Sequence, residues 1–148
     1  MAIEAKDTVE SIMSRTVRTI DPDAPLRSAL ELMAKYDVGC LVIARSGKVI
    51  GVVTERDIVR KMIGKRWKGL EQRVIDVASH PVISIPPNTE AWKAFTTMLS
   101  KKIRRLPVED HGKLVGLVTE RDLFKWVVRV FYEPNIPESF KKLVAQNP

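Results

Sequence analysis

The chain contains the same segment twice. Residues 51–57 read GVVTERD and residues 116–122 read GLVTERD, 65 positions apart. The offset runs back without a gap to residue 16. There TVRTIDPDAPLRSALELM (16–33) lies over PVISIPPNTEAWKAFTTM (81–98), and 14 of the 42 aligned pairs are identical. A weaker echo comes before it, with Val9, Ile12 and Ser14 over Val74, Val77 and Ser79. Similarity at a fixed period signals one structural unit made twice. A unit of about 60 residues buries too little surface to be secure alone, so each copy needs the other.

Each copy reads in the same order. A short extended piece comes first (Val17 to Ile20; Val82 to Ile85), ended by Asp21-Pro22 or Pro86-Pro87, because proline turns the chain and disfavours helix before it. A helix follows, with Leu26, Ala29, Leu30 and Met33 at i, i+3, i+4 and i+7, copied as Ala91, Ala94, Phe95 and Met98. Asp23 and Asn88 are expected to cap these helices. Leu41 to Ala44 and Val49 to Val53 flank a turn at Gly47, which reads as a hairpin, with Gly47 and Gly112 at positive φ. The TERD segment opens a second helix carrying Ile58, Val59 and Met62, copied as Leu123, Phe124 and Val127. The expected fold class is therefore α+β: two tandem β-α-β-β-α units packed face to face about a pseudo-two-fold axis. Copy one spans 8–64, copy two 71–130 and a tail 131–148. Gly64 to Gly69 is the expected connection. Pro134 and Pro137 should stop the last helix, and Ser139 to Ala145 is expected to form one more.

Composition excludes several classes. Of 148 residues 45% are hydrophobic, enough for a core rather than a disordered chain. The longest apolar runs fall well short of the ~18 residues of a membrane span. The polar start MAIEAKDTVE does not read as a secretory signal. A single cysteine, Cys40, permits no internal disulfide and suggests a reducing, cytoplasmic setting. His80 and His111 lack a ligand-spaced partner, so no metal site is expected. With few histidines and no phosphate-cradling glycine loop, no catalytic set appears, and an enzyme is not expected. The net charge of +7 attracts anions of any kind without choosing among them.

The repeated Thr-Glu-Arg-Asp joins a strand end to a helix start. Thr54 with Asp57, and Thr119 with Asp122, have the spacing of a capping box. The same geometry suits a ligand. A helix start presents unpaired amides to an anion, and a carboxylate there offers two acceptors to the paired hydroxyls of a ribose. Both readings can hold at once, and the motif alone does not separate them.

In its duplicated order, its V-x-I-x-P segment, the L-P-V strand of copy two and G-h-V-T-x-x-D in both copies (h being apolar), the chain resembles a tandem CBS-domain module. This is the regulatory unit named for cystathionine β-synthase, and the match spans roughly residues 8–130. The resemblance implies two clefts for adenosine-containing ligands: AMP, ADP or ATP, with S-adenosylmethionine as the other possibility and no cofactor required. It implies a crossed arrangement. One cleft would join Thr54 and Asp57 to Pro81, Val82, Ile83, Arg104 and Arg105; Arg121 either reaches its phosphate or is a solvated charge at the helix end, and the same two readings apply to Arg56 at the other cleft. The other would join Thr119 and Asp122 to Thr16, Val17, Arg18, Gly39 and Cys40, with Arg56 in the corresponding role. Arginine forks phosphate strongly, so the Asp57/Arg105 cleft is expected to favour a phosphorylated ligand over the cleft with Gly39-Cys40. The resemblance also implies a homodimer and a stand-alone module acting on an effector protein.

The alternative is a nucleic-acid-binding or interaction protein with vestigial clefts. Its support is the basic run Arg60-Lys61, Lys65-Arg66, Lys68 and Arg73 around Trp67, since aromatics between cations can stack on bases. Trp92 falls over Arg27 and is expected near the surface, at a partner contact. Trp126, with Phe131 and Tyr132, is expected to pack the last helix. Cys40 is expected to be an inert small hydrophobe with no nearby chemistry except a ligand's phosphate.

Overall fold

The structure is a computed structural model that describes residues 7–79 and 82–132, together with positions 138, 142 and 146. Pro81 and the side chains of Phe131 and Tyr132 lie outside the described residues, as does the helix expected over 139–145 except for helical Lys142.

Copy one runs β1 (Thr19–Ile20), α2 (Leu26–Tyr36), β2 (Cys40–Arg45), β3 (Lys48–Thr54) and α3 (Glu55–Met62), preceded by a single turn, α1 (Val9–Ile12). Copy two runs α4 (Ala91–Lys101), β4 (Arg105–Asp110), β5 (Lys113–Thr119) and α5 (Glu120–Tyr132), preceded by a 3-10 turn over Val74–Asp76. β1 pairs parallel with β2, which pairs antiparallel with β3. In copy two β4 and β5 form the hairpin, and the extended piece shrinks to one parallel bridge, Ile85 to Val108. Both hairpins turn through two residues at positive φ, Ser46-Gly47 and His111-Gly112. This is the two-residue turn whose twist matches antiparallel strands. Both carry a bulge at the same register, after Ile43 and after Val108.

Two expectations for the first helices need correction. Pro25 and Glu90 occupy the cap positions, and neither supplies a side-chain bond. Asp23 is diverted because Arg45 and Arg73 both donate to its carboxylate, and they hold that carboxyl below its usual range. Arg73 also bonds Asp76, so these ion pairs clasp the inter-copy segment onto copy one. At the other end, α2 and α4 close alike. Asp37 and Lys102 adopt the left-handed conformation, and the amides of Val38 and Ile103 return to Met33 and Met98 at 3.0 Å. Such a closure is ordinarily given to glycine.

The core is exchanged between copies. Val9, from the turn that opens copy one, is fully buried in the core of copy two with Leu106, Leu123 and Trp126. Val74, from the 3-10 turn that opens copy two, is fully buried in the core of copy one with Leu41, Ile43 and Ile58. Backbone bonds confirm the exchange: Ser14 and Leu117 donate to each other's carbonyls at 2.9 Å, and Val52 and Ser79 do so at 3.4 and 3.2 Å. Leu41 and Ile43 face their own helices, whereas Val42 is equally buried but belongs to neither core cluster. Strand alternation puts Val42 on the opposite sheet face, and β3 contacts β5 there.

The three tryptophans have different settings. Trp67 packs partly buried against the core of copy one, which removes the aromatic from the basic run. Trp92 is 48% exposed. Trp126 is buried, and its indole N–H donates to Asp7 Oδ2 at 2.8 Å, tying the last helix to the start of the described chain. Asp7→Ala leaves that buried donor unsatisfied, a loss of about 1–3 kcal/mol. Chemical denaturation should show it as a lowered midpoint with unchanged slope, and an unchanged midpoint would deny the tie any structural weight.

Candidate functional site

Thr54 ends β3 in extended geometry and caps α3. Its Oγ1 accepts from the Asp57 amide at 3.1 Å, and the Thr54 amide donates to Asp57 Oδ2 at 2.9 Å. The capping box expected from the sequence is therefore formed. It occupies only Oδ2, and Oδ1 of Asp57 has no hydrogen-bond partner among the described residues. Copy two repeats the arrangement: the Thr119 amide donates to Asp122 Oδ2 at 2.9 Å and the Asp122 amide to Thr119 Oγ1 at 3.2 Å.

In front of the α3 start lies a cavity of about 370 Å³ at the seam of the copies. Copy one contributes Val52, Thr54, Asp57, Glu55, Arg56 and Gly39; the chain beyond it contributes Ser79, Val82, Ile83, Lys102, Ile103, Arg104 and Arg105. The structure thus brings together six of the eight positions assigned to the first cleft. Pro81 is outside the described residues, and Arg121 does not line the cavity. It stands on the first turn of α5, beside Asp122.

Gly39 and Arg56, assigned to the second cleft, line this cavity. The pairing of Cys40 with Thr54 and the Glu55 amide bond to the Gly39 carbonyl at 3.0 Å set the start of β2 beside the start of its own copy's helix. Of the remaining second-cleft positions, Thr119 and Asp122 form their own capping box. Val17 lines a separate depression with Arg15, Thr19 and the Ser46–Gly47 turn, and neither Thr119 nor Asp122 is in it. The Arg18 guanidinium lies 3.7 Å from the Tyr36 ring centre, a cation–π contact. Thr16 is exposed.

The first cavity carries four cations, Arg56, Lys102, Arg104 and Arg105, against two carboxylates, Glu55 and Asp57. Its size is that of a small-molecule site. Apolar Val52, Val82, Ile83 and Ile103 line it together with these charged groups. Sequence reasoning missed Lys102 and Glu55, although the run Lys101-Lys102-Ile103-Arg104-Arg105 was visible as a cation cluster.

The family model for the CBS domain matches residues 9–64 and again 74–129. The chain belongs to the CBS-domain family and carries two such domains. It is 35% identical over 130 residues to an uncharacterized protein of Methanopyrus kandleri, covering 84% of this chain and 65% of that relative's length, so it spans just under two thirds of it. Its fold is similar to that of a putative signal-transduction protein with CBS domains from Burkholderia ambifaria (TM-score 0.77, 28% identity, 88% of this chain and 98% of the other). It is also similar to the crystal structure of CBSX2 in complex with AMP (TM-score 0.70, 26% identity, 83% and 97%). No helix among the described residues is long and apolar enough to cross a membrane.

Cys40 sits at the seam of this CBS pair, and its surroundings are richer than expected. Burial pushes its thiol above the ordinary range, a neighbouring Arg105 guanidinium opposes that by charge and hydrogen bonding, and Glu55 adds to it. The reason is symmetry: Cys40 and Arg105 are equivalent positions, and equivalents close to a two-fold axis meet. A raised thiol pKa means the folded chain holds the proton more tightly than the unfolded chain. The stability it contributes is complete below the unfolded thiol's pKa and is lost as pH rises through the folded value. Titrating thiolate absorbance should place the native midpoint above that of the denatured chain, and Arg105→Gln should raise it further. A native midpoint at or below the denatured one would contradict the burial.

Proposed function

We propose that this CBS pair is a regulatory sensor of adenine nucleotides (AMP, ADP or ATP) and that its primary site is the Asp57/Arg105 cavity. The observation that carries this reading is the pairing, across one seam, of a carboxylate oxygen left free by its capping box with a cluster of three cations, Lys102, Arg104 and Arg105. A ribose needs two adjacent acceptors or a carboxylate edge. A phosphate needs forked, charged donors. The apolar side chains of the lining suit a flat base. S-adenosylmethionine, a cation without phosphate, would leave Arg104 and Arg105 facing like charge and is the poorer fit.

The role is binding without turnover, because no nucleophile among the described lining residues is paired with a general base. Regulation follows from position. A ligand touching both copies stabilises the arrangement it fits best, and a partner that prefers or rejects that arrangement is linked to it reciprocally. We also propose a homodimer. Of the apolar residues expected on the second helices, Ile58 and Leu123 are core and Val127 packs against it, whereas Met62 is exposed, as are Val59 and Phe124, each 55% exposed. Val59 and Met62 on α3, and Phe124 on α5, are apolar residues that a second copy can cover.

Calorimetric titration with AMP, ADP, ATP and S-adenosylmethionine tests the reading. Hydrogen bonds to charged groups contribute about 1.5–3 kcal/mol, so Asp57→Ala and Arg105→Ala should each weaken nucleotide binding about 10- to 100-fold. AMP, ADP and ATP affinities that ignore Arg105→Ala would end the assignment, as would turnover of the nucleotide.

A further inference from the structure

Ion pairs hold the far end of the inter-copy segment, where Arg27 pairs with Glu71 and Arg73 with Asp23 and Asp76. The stretch just before it has none. Arg60, Lys61, Lys65, Arg66 and Lys68 fall within residues 60–68, and no Asp or Glu occurs from Ile58 to Leu70. No carboxylate among the described residues pairs with any of these five cations. Arg60, Lys65, Arg66 and Lys68 are exposed, and Lys61 is half-buried.

Helix energetics explain only part of the run. Arg60 and Lys61 stand in the last turn of α3, where cations complement the helix dipole. Lys65, Arg66 and Lys68 lie past the helix end, outside the reach of that effect. The fold does not ask for them either, since the equivalent positions in copy two are Val130, Phe131 and Glu133. Yet the stretch is anchored. The Gly64 amide donates to the Lys61 carbonyl at 3.1 Å, and Trp67 packs against the core of copy one. Beyond it the Leu70 and Gln72 carbonyls accept from the Arg27 and Leu26 amides at 3.0 and 2.9 Å. A charged loop held at both ends loses less freedom on making a contact than a free one does.

We propose that this surface holds the phosphodiester backbone of a nucleic acid without reading its bases. A row of like charges with no acid among them matches a polymer of regularly spaced phosphates, and neutralising those phosphates releases counterions. Arg60 and Arg66 can fork phosphate oxygens, and the lysines add point charges. Base stacking needs an exposed ring, and Trp67 is turned into the core. An anionic bilayer would attract the same charges, but it holds a peripheral protein through inserted apolar area as well. Met62 is one of the residues that a second copy can cover, which leaves Ile63 as the exposed aliphatic of the run. None of the five cations lines the seam cavity, so this surface does not rest on the nucleotide reading.

The test uses the full chain and a fluorescein-labelled single-stranded RNA of about 20 nucleotides, read by anisotropy across a salt series. Five phosphate contacts predict a log–log salt slope of about −3.5. Replacing Lys65, Arg66 and Lys68 together by Ala should cut the slope by about 2 and weaken binding about tenfold or more at low salt. Lys35→Ala, Lys48→Ala and Lys113→Ala combined remove the same charge elsewhere and should leave affinity within about twofold. Lys65→Arg, Arg66→Lys and Lys68→Arg combined should retain binding, and polyuridylate and polyadenylate should bind alike. Absence of RNA binding at low salt overturns the proposal, as do equal losses in the two alanine triple variants. Displacement of the RNA by polyglutamate as readily as by polyuridylate overturns it in favour of an acidic protein. Run-dependent binding to phosphatidylserine–phosphatidylcholine vesicles without RNA binding overturns it in favour of lipid. Calorimetry with AMP reads the other site. If AMP fails to bind while the RNA contrast persists, the sensor reading fails and this surface stands; if RNA fails while AMP binds, the reverse holds.

Discussion

Neither copy closes its own core. Val9 lies in the first copy's sequence but is buried among Leu106, Leu123 and Trp126 of the second, and Val74 is buried among Leu41, Ile43 and Ile58 of the first. Each crossing segment also adds backbone bonds to the other copy's β strands, at Ser14 with Leu117 and at Val52 with Ser79. The exchange makes two marginal units into one body, because separating the copies would expose two cores rather than one interface. It also fixes the seam. With the crossing segments anchored, the start of β4 can lie only where it faces the start of α3.

Local closures then position the chemistry. The left-handed turn at Lys102, with the Ile103 amide returning to Met98, directs the chain past the cavity, so that three of its cations come from one short loop. The capping box of α3 holds the Asp57 carboxylate in the same cavity with one oxygen used and one free. A helix start and a helix end, each stabilised for local reasons, are thus brought face to face by the packing of the copies.

The duplication is most informative where it breaks. Equivalent positions hold Gly39-Cys40 in one copy and Arg104-Arg105 in the other, and near the axis they come together: Gly39 lines the same cavity as Arg104, and Cys40 neighbours Arg105. One seam therefore gathers the cations. The departure of Trp92 and Leu99 from Arg27 and Ala34 likewise gives α4 an apolar stripe that α2 lacks.

The repeat, the order of elements, the two hairpin turns and the capping boxes could be read from residues alone, because each depends on neighbours within a few positions. The Thr54–Asp57 pair is the clearest instance: cap and partner are three residues apart. The same local logic failed for Asp23, whose carboxylate is drawn away from capping by Arg45 and Arg73, 22 and 50 residues distant. The resemblance placed Gly39 and Arg56 in the second cleft, and both line the Asp57/Arg105 cavity. Sequence by itself determined that two like units exist and that each must end a strand in an acid-bearing helix start. Only the tertiary structure decided which side chains share a cavity, since that depends on segments exchanged between copies and on a symmetry axis, neither of which leaves a local pattern in the chain.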